Sequence, residues 1–211
     1  MEKIIKTYLK EANNINIKKN ILPKQQIILL NTGYLINDYI SLLQNRNDGY
    51  YSRIPTFTID KLGNINQYHH PLDITKFFNN PQIDDQAITI ALENMGWLKY
   101  NPNTNKYYNW CNIECKGGVT EKKWRQKNYW ENYTDSQFNA LIELLDYLCK
   151  SYNINHKFIG NNIFNNRSIK FKGILNRSNY SRFYYDLTPA FDFEKLNKKI
   201  NTKDNNEIPT K

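Results

Sequence analysis

The sequence predicts an α/β domain, and three observations carry that prediction. Ile27-Ile28-Leu29-Leu30 and Ala87-Ile88-Thr89-Ile90-Ala91-Leu92 are short, nearly continuous apolar runs, the pattern of strands buried on both faces of a sheet. Thr56 to Asp60 alternates, turns through Lys61-Leu62-Gly63 and returns as Asn64 to Tyr68, which reads as a β-hairpin. Thr134-Asp135-Ser136-Gln137 is a capping box ahead of Phe138, Leu141, Ile142, Leu144, Leu145 and Leu148, so a helix starts there and fades near Ser151.

The remaining elements follow in order. Lys3 to Glu11 places Ile4, Ile5, Tyr8 and Leu9 on one side of an amphipathic opening helix, within a lead-in over residues 1–23. The first buried strand stops at Asn31-Thr32-Gly33, and Leu35, Ile36, Tyr39, Ile40, Leu42 and Leu43 then recur at helical spacing. Residues 101–133, dense in Trp, Tyr, Asn and Lys, read as an insertion with a short hairpin around Lys106 to Trp110. Phe158-Ile159-Gly160 reads as a short strand, Lys170 to Arg182 as a basic irregular loop, and the stretch after Pro189 as a last short helix. From Lys195 the chain turns polar, and residues 197–211 read as a disordered tail.

A chain of 211 residues fits one domain of ordinary size. Its 29 Lys and Arg against 20 Asp and Glu, a net charge of +9, favour an anionic partner such as a phosphorylated cell-wall polymer, nucleic acid or an acidic protein face. The basic residues are interleaved with Asn and Tyr, not gathered into a long run, which disfavours nucleic acid. Met1 to Asn20 holds no apolar core and no small-residue cleavage site, so no signal peptide is expected, and no apolar run is long enough to span a membrane. Cys111 and Cys115 lack a second Cys or His pair nearby to complete a zinc site, and all three cysteines, with Cys149, are expected as free thiols. His69 and His70, adjacent at a strand end, point to opposite sides and are poorly placed to share a metal. In open sheets ligands bind beyond the carboxyl ends of the strands, which makes Leu30, Asn31 and the carboxylate of Glu93 candidate groove residues.

The order of buried strand, helix, hairpin, buried strand and capped helix resembles the zinc-dependent N-acetylmuramoyl-L-alanine amidases, a group that includes phage endolysins and is similar to peptidoglycan-recognition proteins. The resemblance is carried by Thr58 to Ile65, Ala87 to Asn94, Tyr133 to Gln137, Phe158 to Asn161 and Asp186-Leu187-Thr188-Pro189-Ala190-Phe191-Asp192. It implies a central mixed β-sheet flanked by helices in one domain over residues 24–196. It also implies a zinc ion held by a His ending the first strand, a His following the Gly after the capped helix, and an Asp or Cys shortly before a Pro and a Phe. Three such ligands leave the fourth position to a water whose pKa falls to about 7, so that hydroxide attacks the amide.

This chain departs from that pattern. Leu30 and Asn161 occupy the two His positions, and Asp186 is the one ligand position retained. Pro55 and Tyr184 stand where catalytic relatives carry a Tyr or a Lys. Leu has no lone pair and an Asn amide is a poor zinc ligand, so no cofactor is expected and Glu93 is left without an activated water. What the resemblance then implies is a non-catalytic amidase-fold protein of phage or other viral origin. Such a protein lies in the host cytoplasm on synthesis or in the virion, and binds peptidoglycan, another cell-wall polymer or other virion proteins through a groove lined by Leu30, Asn31, Glu93, Asn161, Tyr184 and Asp186. Two alternatives stand beside it. One is an active zinc amidase that recruits His69, His70 or His156. The other is an interaction protein that uses the fold as a platform for residues 101–133 and 170–182.

Overall fold

A run apolar on every residue needs cover on both faces, and Gln26–Asn31 obtains it as an inner strand of a six-stranded sheet. The computed structural model describes residues 4–6, 22–44 and 54–204. In chain order the described elements are β1 (Ile4–Lys6), β2 (Gln26–Asn31), α1 (Ile36–Gln44), β3 (Phe57–Ile59), β4 (Ile65–Gln67), α2 (Pro81–Asp84), β5 (Ala87–Leu92), β6 (Trp97–Asn101), β7 (Lys106–Tyr108), β8 (Val119–Trp124), β9 (Lys127–Glu131), α3 (Asp135–Tyr152), β10 (Gly173–Asn176) and α4 (Phe193–Asp204). Short 3-10 turns at Ser168–Lys170 and Arg177–Asn179 flank β10.

The large sheet runs β1-β4-β3-β5-β2-β10. It is mixed: β3 and β4 form the antiparallel hairpin, while the other pairs are parallel. Alternate residues of β2 serve opposite faces. Ile27 and Leu29 join Leu141, Leu144, Leu145 and Leu148 of α3 in the main core, whereas Leu30 packs with Tyr39, Ile54, Tyr68, Phe77 and Ala91 on the other side. The capping box forms as its residues dictate. The Gln137 amide donates to Thr134 Oγ1 at 3.1 Å, and the Thr134 amide donates to Gln137 Oε1 at 3.2 Å, together worth about 1 kcal/mol. The Gln137 side chain also donates to the carbonyls of Ile59 and Glu93, which fixes α3 against the ends of β3 and β5.

Five expectations are corrected. Ile4–Lys6 is a strand, parallel to β4, not the start of a helix. Pairing satisfies the otherwise open edge of β4, with Ile4 turned to the core and Ile5 to solvent; residues 7–11 of the expected helix lie outside the described residues. The aromatic insertion is a second antiparallel sheet, β7-β6-β9-β8, rather than a loop with one hairpin. The basic loop contains β10, which pairs with β2, while the strand expected at Phe158 is a single bridge to Ile174. The polar tail starts later than residue 197, because Leu196 and Ile200, one helical turn apart, bury themselves in the core and carry α4 to Asp204. Among the described residues no helix is long and apolar enough to cross a membrane.

Lys24, just before β2, is 2% exposed, and its ammonium donates to the carbonyls of Asp84 (3.4 Å) and Asp85 (3.2 Å). Burial lowers its pKa to about 8 against the opposing charges of Asp85, Asp73 and Asp84. Between that value and 10.5 the unfolded chain holds a proton that the folded chain has released, so stability rises with pH across this window. Lys24→Met is expected to stabilise the protein at pH 7 by roughly 1–3 kcal/mol and to abolish that rise. Urea titrations of both proteins from pH 7 to 10 check it; parallel curves for the two would refute it.

Candidate functional site

The carboxyl ends of β2 and β10 lie side by side, and the chain after β10 returns across them. There Asp186, 2% exposed, accepts from the Asn31 amide through Oδ1 at 2.8 Å and from Arg177 Nε through Oδ2 at 2.5 Å. The Arg177 guanidinium also lies over the Tyr184 ring, 4.6 Å from its centroid. Burial works against the Arg177 charge, but the adjacent Asp186 carboxylate outweighs it and raises the pKa above the ordinary value. Asn31 Oδ1 accepts from the Tyr133 hydroxyl at 2.7 Å, and burial pushes that hydroxyl well above the usual tyrosine range.

Leu30, Asn31, Tyr184 and Asp186 are thus gathered around one ion pair, whose carboxylate is buried and whose guanidinium is half-buried. Leu30 is 1% exposed and stands in register with Ala91 of β5. Asn161 is exposed; its Oδ1 accepts from the Ile163 amide at 3.0 Å and its Nδ2 donates to the Ile159 carbonyl. Its backbone carbonyl ties it to the end of β10, accepting from Asn176 Nδ2 at 2.7 Å and Asn179 Nδ2 at 3.1 Å, while the neighbouring Asn162 donates to the Leu187 carbonyl at 2.9 Å. Glu93 belongs elsewhere: its carboxylate accepts from the Lys61 amide at 3.2 Å, and burial raises its pKa against the pull of Lys61.

Zinc, which the resemblance implied at Leu30, Asn161 and Asp186, does not fit the side chains as they stand. Leu30 has no donor atom, the Asn161 oxygen is taken by a turn, and both Asp186 oxygens accept internal hydrogen bonds. Among the described residues no group of three or more His, Cys, Asp and Glu side chains can hold a metal ion. His69 is buried beside the hairpin, with Nδ1 3.1 Å from the His70 carbonyl, and His70 is exposed.

A cleft of about 620 Å³ opens between the β3–β4 turn and the second sheet. Lys61, Met95, Ile113, Gly118, Glu131 and Tyr133 are among its walls. Glu131 is 3% exposed, pairs with the Lys61 ammonium at 3.1 Å and accepts from the Met95 amide at 2.6 Å. Lys61, Glu131 and Arg177 were not among the residues singled out from the sequence. No motif marks them, since each gains its partner only through the sheet.

Neither a protein-family model nor a curated protein sequence matches the chain. Among solved structures, the fold is that of the N-acetylmuramoyl-L-alanine amidases. The endolysin amidase LysCS from Clostridium intestinale URNW superposes with a TM-score of 0.57 at 17% identity, covering 95% of this chain and 97% of that one. LysC from the same organism gives 0.56 at 17% identity, covering 94% and 97%. AmiD from E. coli, in complex with the substrate anhydro-N-acetylmuramic acid-L-Ala-D-gamma-Glu-L-Lys, gives 0.51 at 14% identity over 84% of this chain and 57% of that one. At these identities the likeness is one of fold.

Proposed function

We propose that this chain is a non-catalytic amidase-fold protein that binds peptidoglycan, acting as a cell-wall-binding or tail-associated component of a phage. The observation that carries this reading is the pairing of Asp186 with Arg177. The retained ligand position gives both oxygens to the protein itself, and a half-buried guanidinium supplies the positive charge beside it. The adjoining Leu30 closes the place where a metal donor would stand. Binding of a muramyl peptide is supported by the fold, since AmiD of the same fold is held with such a substrate. The cleft of about 620 Å³ beside Lys61 and Glu131 is the concave surface available to such a ligand.

Three measurements on the purified protein test the proposal together. Elemental analysis is expected to find zinc well below one equivalent, peptidoglycan suspensions are expected to keep their turbidity, and the protein is expected to sediment with insoluble peptidoglycan. Stoichiometric zinc with chelator-sensitive clearing would instead establish an active amidase. Failure to sediment would leave the fold as a platform, with the second sheet making the contacts.

A further inference from the structure

Four of the chain's six arginines, Arg125, Arg167, Arg177 and Arg182, meet near the segments 161–167 and 181–184. Two of them are committed internally. Arg177 is paired with Asp186, and Arg125 donates to the carbonyls of Arg182, Tyr184 and Asn162 while its guanidinium covers Trp124. Arg167 and Arg182 are exposed and join no carboxylate among the described residues.

These two arginines line a depression of about 480 Å³ with Asn161, Ile163, Phe164 and Asn166, and no acidic residue lines it. The Arg182 guanidinium sits 5.3 Å from the centre of the Phe164 ring, which restricts where its donors point. Apolar surface adjoins the charges: Ile163 is 64% exposed and Phe183, next to Arg182, is 89% exposed. Asp186, which pairs with the neighbouring Arg177, already has both oxygens occupied.

Two uncompensated guanidinium forks around an open hollow match the planar or tetrahedral oxyanions that arginine binds through paired N–H donors. We propose that this depression binds an oxyanion, a phosphate ester or a carboxylate, carried on a group whose apolar face rests against Ile163. The site goes beyond the peptidoglycan reading and does not depend on it, since none of its donors belongs to the cleft beside Lys61.

Calorimetric titration at low salt with inorganic phosphate, a glycerol-phosphate oligomer and a short peptide with a free carboxylate tests the site. Saturable binding of at least one probe is expected, falling tenfold or more in the double variant Arg167→Ala/Arg182→Ala. The double variant Lys99→Ala/Lys127→Ala removes the same charge from the second sheet and is expected to bind as the parent does. The tighter of the oligomer and the peptide identifies the source of the oxyanion. Saturable binding of none of the three, or equal weakening in both double variants, would overturn the proposal. Thermal melts of both variants guard against misfolding, and sedimentation with phosphate-free peptidoglycan reports separately on the cleft.

Discussion

Replacing Asp186 by alanine is expected to destabilise the protein by about 3 kcal/mol, the low end of the range for a buried charge left without its partner, because the Arg177 side chain is 25% exposed. Two groups lose their acceptor at once. The Arg177 guanidinium stays charged and loses its carboxylate, and the Asn31 amide at the end of β2 loses the oxygen it donates to. Arg177→Met leaves the carboxylate unpaired and is expected to cost a similar amount. The double variant Asp186→Asn/Arg177→Met is expected to recover much of the loss, since neutral groups of similar volume replace the pair and the asparagine oxygen still accepts from Asn31. A double-mutant cycle of Asp186→Asn, Arg177→Met and their combination, by urea titration at pH 7, measures the coupling. Additive single effects would mean that the pair does not hold this end of the sheet.

Gly173→Ala is expected to cost about 3 kcal/mol or more, from backbone strain combined with overpacking. Gly173 has φ of +132°, and a Cβ there would lie 2.4 Å from the Lys157 carbonyl oxygen and 3.0 Å from that of Asn155. Both obstacles are backbone, so neither can swing aside. The Gly173 amide also donates to the Gln25 carbonyl at 2.9 Å, where β10 joins β2. Displacing it would pull Ile174 away from both Ile27 and Phe158. Gly160→Ala is the internal control. Its φ is +83° but no atom lies within 4 Å of the added carbon, so only the left-handed conformation counts against it, about 1 kcal/mol. Equal midpoints for the two variants in urea would show that the close approach at Gly173 is not limiting.

The elements legible in the sequence share a property: their determinants are local. Continuous apolar runs need cover on both faces, and β2 and β5 are inner strands of the sheet. The alternation across Lys61-Leu62-Gly63 identifies a hairpin because its turn is short. Thr134 and Gln137 cap α3 because both partners lie within one helical turn.

The elements that escaped have non-local causes. β10 is four residues long, too short for a periodic signal, and exists because β2 presents an open edge to it. The β8–β9 turn places Arg125 and Gln126 at φ of 46° and 64°, a conformation normally announced by Asn-Gly. That turn is held from outside by the carbonyls that Arg125 reaches.

Sequence alone determined that Leu30 brings no lone pair to the strand end, whatever surrounds it, and it determined the sheet-and-helix framework through burial and capping. Tertiary structure decided what stands there instead. Nothing in the sequence links Arg177 to Asp186 across the 3-10 turn that follows β10, nor sends Glu93 to the Lys61 amide. Those partners are chosen where strands distant in sequence end together, because a buried charge or amide must find whichever complementary group the fold brings within reach.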